Sequence, residues 1–299
     1  MIPDQPPDLL TILKSNAPDP GKPISVVRQN FSAFIDEMRE EEYEPPAFES
    51  VEISKGLRGY WIGGPEVEPD KIVLFFHGGS FNLGSTRDHL ELCSRIALTA
   101  QTRVFSVDYR LAPEHVFPAP VEDAVTAYKY LLSCGYQSHR IIPAGISAGG
   151  TLVLDLLLSV RDQGLPLPPA GVCMSPFVDL LFGGESVKKN IDNDWLTPAI
   201  LDAIRTVYLA GHDPADPLAS PVYARLHGLP RLYIQAGTHE LLLSDIASFV
   251  DKARWAGVPV QFEIWEGMFH CWQAFYRQVP EGVRAIDLAG TFIHDAIAR

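Results

Sequence analysis

Beyond residue 71, short segments of unbroken apolar sequence alternate with longer segments of helical character. Unbroken apolar segments of four to eight residues are typical of strands that are buried on both faces of a parallel sheet. We predict strands at residues 72–76, 102–107, 140–144, 171–174, 232–236 and 258–265, and helices at residues 88–100, 121–133, 150–161, 241–255 and 283–298. This alternation predicts an α/β fold with a mostly parallel sheet, helices on both faces and right-handed crossovers.

Two regions depart from the alternation. Residues 24–43 predict a helix with one apolar side, because apolar residues recur there at steps of three and four. These residues are Val26, Val27, Phe31, Phe34, Ile35 and Met38. The connection between the strands at 171–174 and 232–236 is much longer than one crossover helix needs, and it contains a predicted helix at 198–208. We therefore expect residues 1–45 and 181–212 to form a cap over the strand ends, and residues 46–180 and 213–299 to form the main domain, which begins with two short strands.

Composition restricts the partners. The 299 residues include 24 Lys and Arg against 37 Asp and Glu, a formal net charge of −13. A field of that sign repels phosphate backbones and anionic membrane surfaces, so we expect no nucleic-acid and no membrane partner. The first residues lack the pattern of a secretory signal, and no apolar run approaches the roughly 18 residues of a membrane helix. The four cysteines are widely spaced, which is more typical of reduced thiols than of disulfides or a zinc site. Because thiols stay reduced in the cytosol, we expect a cytoplasmic protein.

A G-x-S-x-G motif occupies residues 145–149, between a predicted strand and a predicted helix. A strand, a sharp turn and a helix are what a nucleophile elbow requires. The glycines allow the two backbones to approach, and the helix dipole favours negative charge near Ser147. Ser147 is therefore the predicted nucleophile, and the alternative is a glycine-rich turn with only a packing role.

His77, Gly78 and Gly79 directly follow the predicted strand at 72–76. Two glycines after a buried strand can leave backbone N–H groups pointing into a cavity, where acyl transfer needs donors for a developing oxyanion. Together with the N–H of Ala148, just after the serine, they form the predicted oxyanion hole. The alternative is a plain turn with a loop histidine.

An activated serine needs a histidine base and an acid that orients the base. His270 follows the predicted strand at 258–265, and ligands bind at the carboxyl ends of strands in such sheets. The acid should follow the strand at 232–236. Glu240 lies at that strand's end and is preferred, whereas Asp245, a turn and a half into the next helix, remains the alternative.

Five short motifs follow one another along the chain: His77-Gly-Gly, residues 108–114 (DYRLAPE), the glycine-rich motif around Ser147, residues 175–179 (SPFVD) and residues 267–270 (GMFH). In this order they resemble the hormone-sensitive lipase family of α/β-hydrolases, in its bacterial esterase branch. The resemblance spans about residues 45–299. It implies an eight-stranded sheet, a helical cap and carboxylesterase activity on short acyl chains, and it maps the triad and the oxyanion donors to the same residues.

Three positions depart from the family pattern. Ser80 stands in place of a third glycine, Ile146 in place of a polar residue before the nucleophile, and Glu240-Leu-Leu in place of Asp-Pro-Leu. None of these changes removes a required functional group.

We expect an acyl pocket beneath the cap. The candidate lining residues are Phe31, Phe34, Met38, Ser80, Phe81 and Ile146, with Trp195 and Tyr208 as further candidates. The alternative for the cap residues is core packing. In the DYRLAPE segment, Arg110 and Glu114 stand four positions apart and are expected to pair and fix the loop.

These residues together predict a serine carboxylesterase that acts on short- to medium-chain esters through an acyl-enzyme. Metal and nucleotide motifs are missing, so we expect no metal site and no cofactor. Lactone, amide or acetyl-sugar hydrolysis on the same triad remains open, as does a ligand-binding receptor, because fold does not fix function. The last strand is expected to be a sheet edge, where unpaired backbone groups favour a homodimer.

Overall fold

The structure, a computed structural model, describes residues 8–38, 48–63 and 68–297. Some predicted segments extend outside those ranges. They are residues 39–43 of the first helix, residues 1–7 and 39–45 of the cap, residues 46–47, 64–67 and 298–299 of the main domain, and residue 298 of the last helix.

An eight-stranded sheet forms the centre of the molecule, in the order β1-β2-β4-β3-β5-β6-β7-β8. The strands are β1 Phe48–Ser54, β2 Leu57–Ile62, β3 Glu68–Phe76, β4 Thr102–Asp108, β5 Ile141–Ile146, β6 Ala170–Met174, β7 Arg231–Gly237 and β8 Val260–Trp265. The pairs β1–β2 and β2–β4 are antiparallel, and every later pair is parallel. The predicted eight-stranded, mostly parallel sheet is confirmed.

Helices cover both faces of this sheet. In chain order the helices are α1 Leu9–Ser15, α2 Ile24–Glu37, α3 Leu90–Ala100, α4 Ala119–Ser133, α5 Ala148–Asp162, α6 Ser186–Lys189, α7 Pro198–Leu209, α8 Leu243–Trp255 and α9 Pro280–Ile297. Those that pack on the sheet are α3, α4, α5, α8 and α9. Along β3, Leu74 and Phe76 pack toward α4, α5 and α8, whereas Val73 and Phe75 pack toward α3 and α9. Side chains alternate between faces along a strand, so a strand covered on both sides must be apolar at every position. No helix in the described ranges combines the length and apolar character needed to cross a membrane.

The two segments that were predicted to form a cap contact each other and the rest of the chain. The Lys14 side chain of α1 donates a hydrogen bond to the carbonyl of Asp192 in the inserted segment, at 2.7 Å. From α2, Arg28 pairs with Glu114 at 2.7 Å and donates to the carbonyl of Asn82. Helix α2 ends at Glu37, within the predicted range of 24–43.

The expected ion pair between Arg110 and Glu114 is wrong. Arg110 binds Asp123 at 2.9 Å and Glu122 at 3.0 Å, both on α4. Glu114 binds Arg28 of the cap instead. Residues four apart are neighbours only on a helix, and this loop is not helical, so its side chains point to different elements.

Candidate active site

The elbow after β5 places Ser147 in a conformation that L-residues rarely adopt, with φ 55° and ψ −123°. Its N–H donates to the carbonyl of Met174 on the neighbouring strand at 2.8 Å, which fixes the turn. A Cβ at Gly149 would lie 1.9 Å from the carbonyl oxygen of Phe76, so only glycine fits where α5 passes β3. The strained turn directs the Ser147 hydroxyl out of the strand end, as an elbow requires.

Three side chains from separate loops form a continuous hydrogen-bonded relay. The Ser147 Oγ lies 2.9 Å from Nε2 of His270, and Nδ1 of His270 lies 3.1 Å from Oε2 of Glu240. All three side chains are buried. Asp245, the alternative acid, lies instead in the first turn of α8, beside Gly184. The structure thus brings Glu240, and not Asp245, to the histidine.

The second oxygen of Glu240 is held by two donors. Its Oε1 accepts from the N–H of Gly237 at 2.7 Å and from the hydroxyl of Ser175 at 2.8 Å. Burial raises the pKa of Glu240, and these two hydrogen bonds act in the opposite direction. Ser175 belongs to the SPFVD motif, but the sequence analysis gave it no function in the site.

Burial lowers the pKa of His270, and the Asp194 carboxylate opposes that effect. The imidazole is therefore neutral at pH 7. With Nδ1–H donated to Glu240, Nε2 is free to accept the Ser147 proton, which is the arrangement that general-base catalysis needs.

In the loop after β3, the predicted oxyanion donor Gly78 has its N–H paired with another side chain. The N–H of Gly78 donates to Nε2 of His89 at 3.2 Å, while Nδ1 of His89 lies 3.0 Å from the carbonyl of Ser85. His89 follows this loop in a short 3₁₀ helix, and no local sequence pattern predicts its contact with Gly78. The N–H groups of Gly79 and Ala148 have no acceptor within the described residues, so these two remain available to an oxyanion.

A cavity of about 160 Å³ lies between the cap and the Ser80 loop. Apolar side chains from both cap segments and the loop line it, including Val27, Leu83, Ile204 and Val207. Of the six predicted pocket residues, only Ser80 lines this cavity.

The other five lie elsewhere. Phe31 and Phe34 line a second cavity of about 320 Å³ between α1 and α2, and Met38 borders a cleft of about 40 Å³. The ring of Phe81 stacks on Tyr208 with centroids 3.8 Å apart. Ile146, at the end of β5, is buried in the core on the side of the sheet that α3 and α9 cover.

The placement of α2 explains this difference. Val27 and Phe34 share one helix face but lie two turns apart, or about 10 Å along the axis. That face meets the cavity at Val27, whereas Phe34 packs with Phe275 of the aromatic cluster after His270. The apolar side of α2 thus faces the cavity at one end and the aromatic cluster at the other. The sequence pattern does not predict which residues face which.

The inserted segment also contributes polar groups that the sequence analysis missed. Asn190, Asp194 and Trp195 hydrogen-bond to the loops that carry Glu240 and His270. No group of three His, Cys, Asp or Glu side chains in the described part of the chain is arranged to hold a metal ion.

The parallel sheet and the serine on its elbow define the class of the protein. The sequence profile of the α/β-hydrolase fold family matches residues 73–274, about two thirds of the chain. A solved esterase of the bacterial hormone-sensitive lipase family is 40% identical, with a TM-score of 0.91 and 96% of each chain covered. The chain belongs to the α/β-hydrolases, and within them to the hormone-sensitive lipase family.

Other relatives agree with this assignment. An acetyl-hydrolase of Streptomyces hygroscopicus is 43% identical over 237 residues, which cover 79% of both chains. An esterase of Acinetobacter venetianus is 35% identical over 233 residues, or 77% of both chains. The structure of the esterase EstE5 soaked with p-nitrophenyl butyrate is 36% identical, with a TM-score of 0.90, and covers 97% of this chain and 98% of that one. The family predicted from the motifs is confirmed.

Proposed function

We propose that this protein is a serine carboxylesterase that hydrolyses short- to medium-chain esters through an acyl-enzyme on Ser147. The observation that carries this proposal is the relay from Ser147 through His270 to Glu240 at the carboxyl ends of the strands. Relatives named esterase and acetyl-hydrolase support the reaction class.

The reaction proceeds in two halves. In the first, Ser147 Oγ attacks the ester carbonyl while His270 takes the hydroxyl proton, and the oxyanion accepts hydrogen bonds from Gly79 and Ala148. The tetrahedral intermediate collapses, and the alcohol leaves with the proton from His270. In the second half, water gives a proton to His270 as it attacks the acyl-enzyme, and the acid product leaves as Ser147 regains its proton. Glu240 orients the imidazole and stabilises the imidazolium throughout.

The direct test is turnover of p-nitrophenyl esters from acetate to decanoate, together with mass spectrometry after treatment with a phosphonate. We expect ester turnover and a single phosphonylated residue, Ser147. If amides or lactones were hydrolysed and simple esters were not, the reaction class would move to amidase or lactonase on the same relay.

We propose that the acyl chain binds in the cavity beside Ser80, which follows the oxyanion donor Gly79, and the size of this cavity favours short chains. A cavity of about 150 Å³ holds benzene, a six-carbon molecule, and the cavity beside Ser80 measures about 160 Å³. Ala203 of α7 lines it and Ala199 of the same helix is exposed. We predict that Ala203→Phe lowers kcat/KM for p-nitrophenyl hexanoate by about tenfold and for acetate by less than twofold, since the added ring displaces about two methylenes that each contribute about 0.8 kcal/mol of burial. Ala199→Phe is the matched control. Equal losses on both esters in Ala203→Phe would show that the cavity does not bind the acyl chain.

We propose a homodimer that pairs through β8. This strand lies at the edge of the sheet, and Ile264 on it is 52% exposed. We predict a dimer by light scattering at micromolar concentration, and a monomer for Ile264→Lys, because lysine on an edge strand opposes pairing. Leu98→Lys, on the exposed side of α3, is the control and should remain dimeric. A monomeric wild-type protein would contradict the proposal.

A cytoplasmic location is also a proposal. It is supported by the four cysteines, which are free thiols, three of them buried. Fractionation of the source cell with an antibody would test it.

A further inference from the structure

The segment of residues 190–195, between α6 and α7, contacts both loops that complete the relay. We call it the bracing segment. It belongs to the inserted part of the cap, yet its polar groups point down to the strand ends rather than to the pocket. The loop after β7 carries Glu240, and the loop after β8 carries His270.

One carboxylate of this segment holds both loops at once. Asp194 is fully buried, and its Oδ1 accepts from the backbone N–H of His270 at 3.0 Å. Its Oδ2 accepts from the N–H of Leu241 at 2.9 Å, the residue directly after Glu240. A buried carboxylate needs hydrogen-bond donors, and here the backbones beside the acid and the base supply them.

Trp195 holds the other backbone group of His270. Its Nε1–H donates to the carbonyl of His270 at 2.8 Å, and the two rings lie 5.6 Å apart. The N–H and the carbonyl of His270 are therefore both fixed by neighbouring residues of the bracing segment.

Asn190 fixes the acid loop from the opposite end of the segment. Its side-chain amide donates to the carbonyls of Thr238 and Glu240 at 2.9 Å and 2.8 Å. The two catalytic loops thus share a single support that lies outside the motifs of either loop.

The support also carries charge. Around the His270 imidazole lie Glu240 at Nδ1, Ser147 at Nε2, and Asp194 behind the backbone. Burial raises the pKa of Asp194 to about 6, whereas the backbone N–H groups of His270 and Leu241, which donate to its two oxygens, favour the ionised carboxylate. Burial and the nearby carboxylates raise the pKa of the adjacent Cys271 thiol, which stays neutral. An anion at Asp194 stabilises the imidazolium that forms when Ser147 attacks.

We propose that Asp194 and Trp195 are positioning residues for the catalytic histidine, and that Asp194 in addition supplies negative charge to the imidazolium. This inference rests on the proposed esterase function. It makes the inserted segment of the cap a part of the catalytic apparatus, in addition to its place over the pocket.

The first test is Asp194→Asn, which removes the charge and replaces one acceptor oxygen by a donor. We expect kcat for p-nitrophenyl butyrate to fall about 10- to 100-fold with KM changed by less than about threefold, because small displacements of a catalytic group have effects of this size. The acid limb of kcat/KM should move to lower pH, since loss of a nearby anion disfavours the protonated imidazole. Asp202→Asn is the matched control, because Asp202 is an exposed residue of α7. It should leave kcat and the acid limb of kcat/KM unchanged.

The second test separates position from charge. Trp195→Phe removes the hydrogen bond to the His270 carbonyl and keeps Asp194, so kcat should fall about tenfold while the acid limb stays in place. The control is Trp255→Phe, because Trp255 is 90% exposed. Phosphonate titration of Ser147 in each variant corrects kcat for any misfolded fraction.

Wild-type kcat and an unmoved acid limb in Asp194→Asn would overturn the inference, as would a loss that disappears after correction for active sites. If Asp194→Asn does not fold, Trp195→Phe decides: a tenfold loss supports the inference and a loss below twofold overturns it. Failure of the esterase function itself would appear differently, as a wild-type protein with no ester turnover.

Discussion

Ser147→Ala abolishes ester hydrolysis, lowering kcat by about 10⁴-fold or more, while the protein keeps its fold. The residues of a triad act as a unit, so loss of the nucleophile removes nearly all of their joint contribution. The change should be visible in a p-nitrophenyl butyrate assay, with circular dichroism and the unfolding temperature as checks on structure.

The matched control is Ser159→Ala. Ser159 is also a buried serine, it lies on α5, and it takes no part in the relay. It should keep kcat within about twofold. A Ser147→Ala protein that turned over esters at a near-normal rate would end the serine-hydrolase interpretation.

Replacement of the acid is expected to have the next largest effect. Glu240→Gln should lower kcat by about 10³- to 10⁴-fold, as amide replacement does in other triads. Glu240 accepts hydrogen bonds from His270, Ser175 and Gly237. An amide can offer only one oxygen to these donors, so its NH₂ group must face a donor or force the imidazole into the wrong tautomer.

Asp245→Asn provides the comparison, because Asp245 is the alternative acid and lies on α8, five residues after Glu240. We expect it to reduce kcat by less than about tenfold, since it does not contact His270. Steady-state kinetics of both variants at saturating ester would decide between them, and the reverse ranking would transfer the acid's function to Asp245.

Much of this fold could be predicted from the sequence because its signals are local. Five apolar residues at 72–76 lie within β3, Glu68–Phe76, and the glycine motif lies where β5 turns into α5. The motif order also predicted the hormone-sensitive lipase family and the serine carboxylesterase class, which the relatives confirm. Each of these inferences used the pattern within one element or the order of elements along the chain.

Contacts between distant segments could not be predicted in the same way. Asp194 stands 76 residues from His270, and nothing in its local sequence indicates a contact with a backbone N–H there. The Arg110–Glu114 pair was wrong for the same reason, since both partners lie on other elements. Gly78 has the spacing of an oxyanion donor, but only the fold shows that His89 occupies its N–H. These are tertiary properties, and spacing along the chain does not determine them.

The bracing segment limits how the substrate specificity of this protein can be changed by exchange of its cap. Its cap is not a single exchangeable module, because residues 190–195 support Glu240 and His270 while α1 and α2 do not contact either side chain by hydrogen bonds. Transplanting residues 181–212 from a relative would exchange the pocket wall and the support of the base together. Transplanting the N-terminal helices would alter the wall at Ile24 and Val27 and leave the hydrogen bonds from residues 190–195 to the two catalytic loops in place. We therefore expect substitutions in α2 to change the ester preference with a smaller loss of activity than substitutions in residues 190–195.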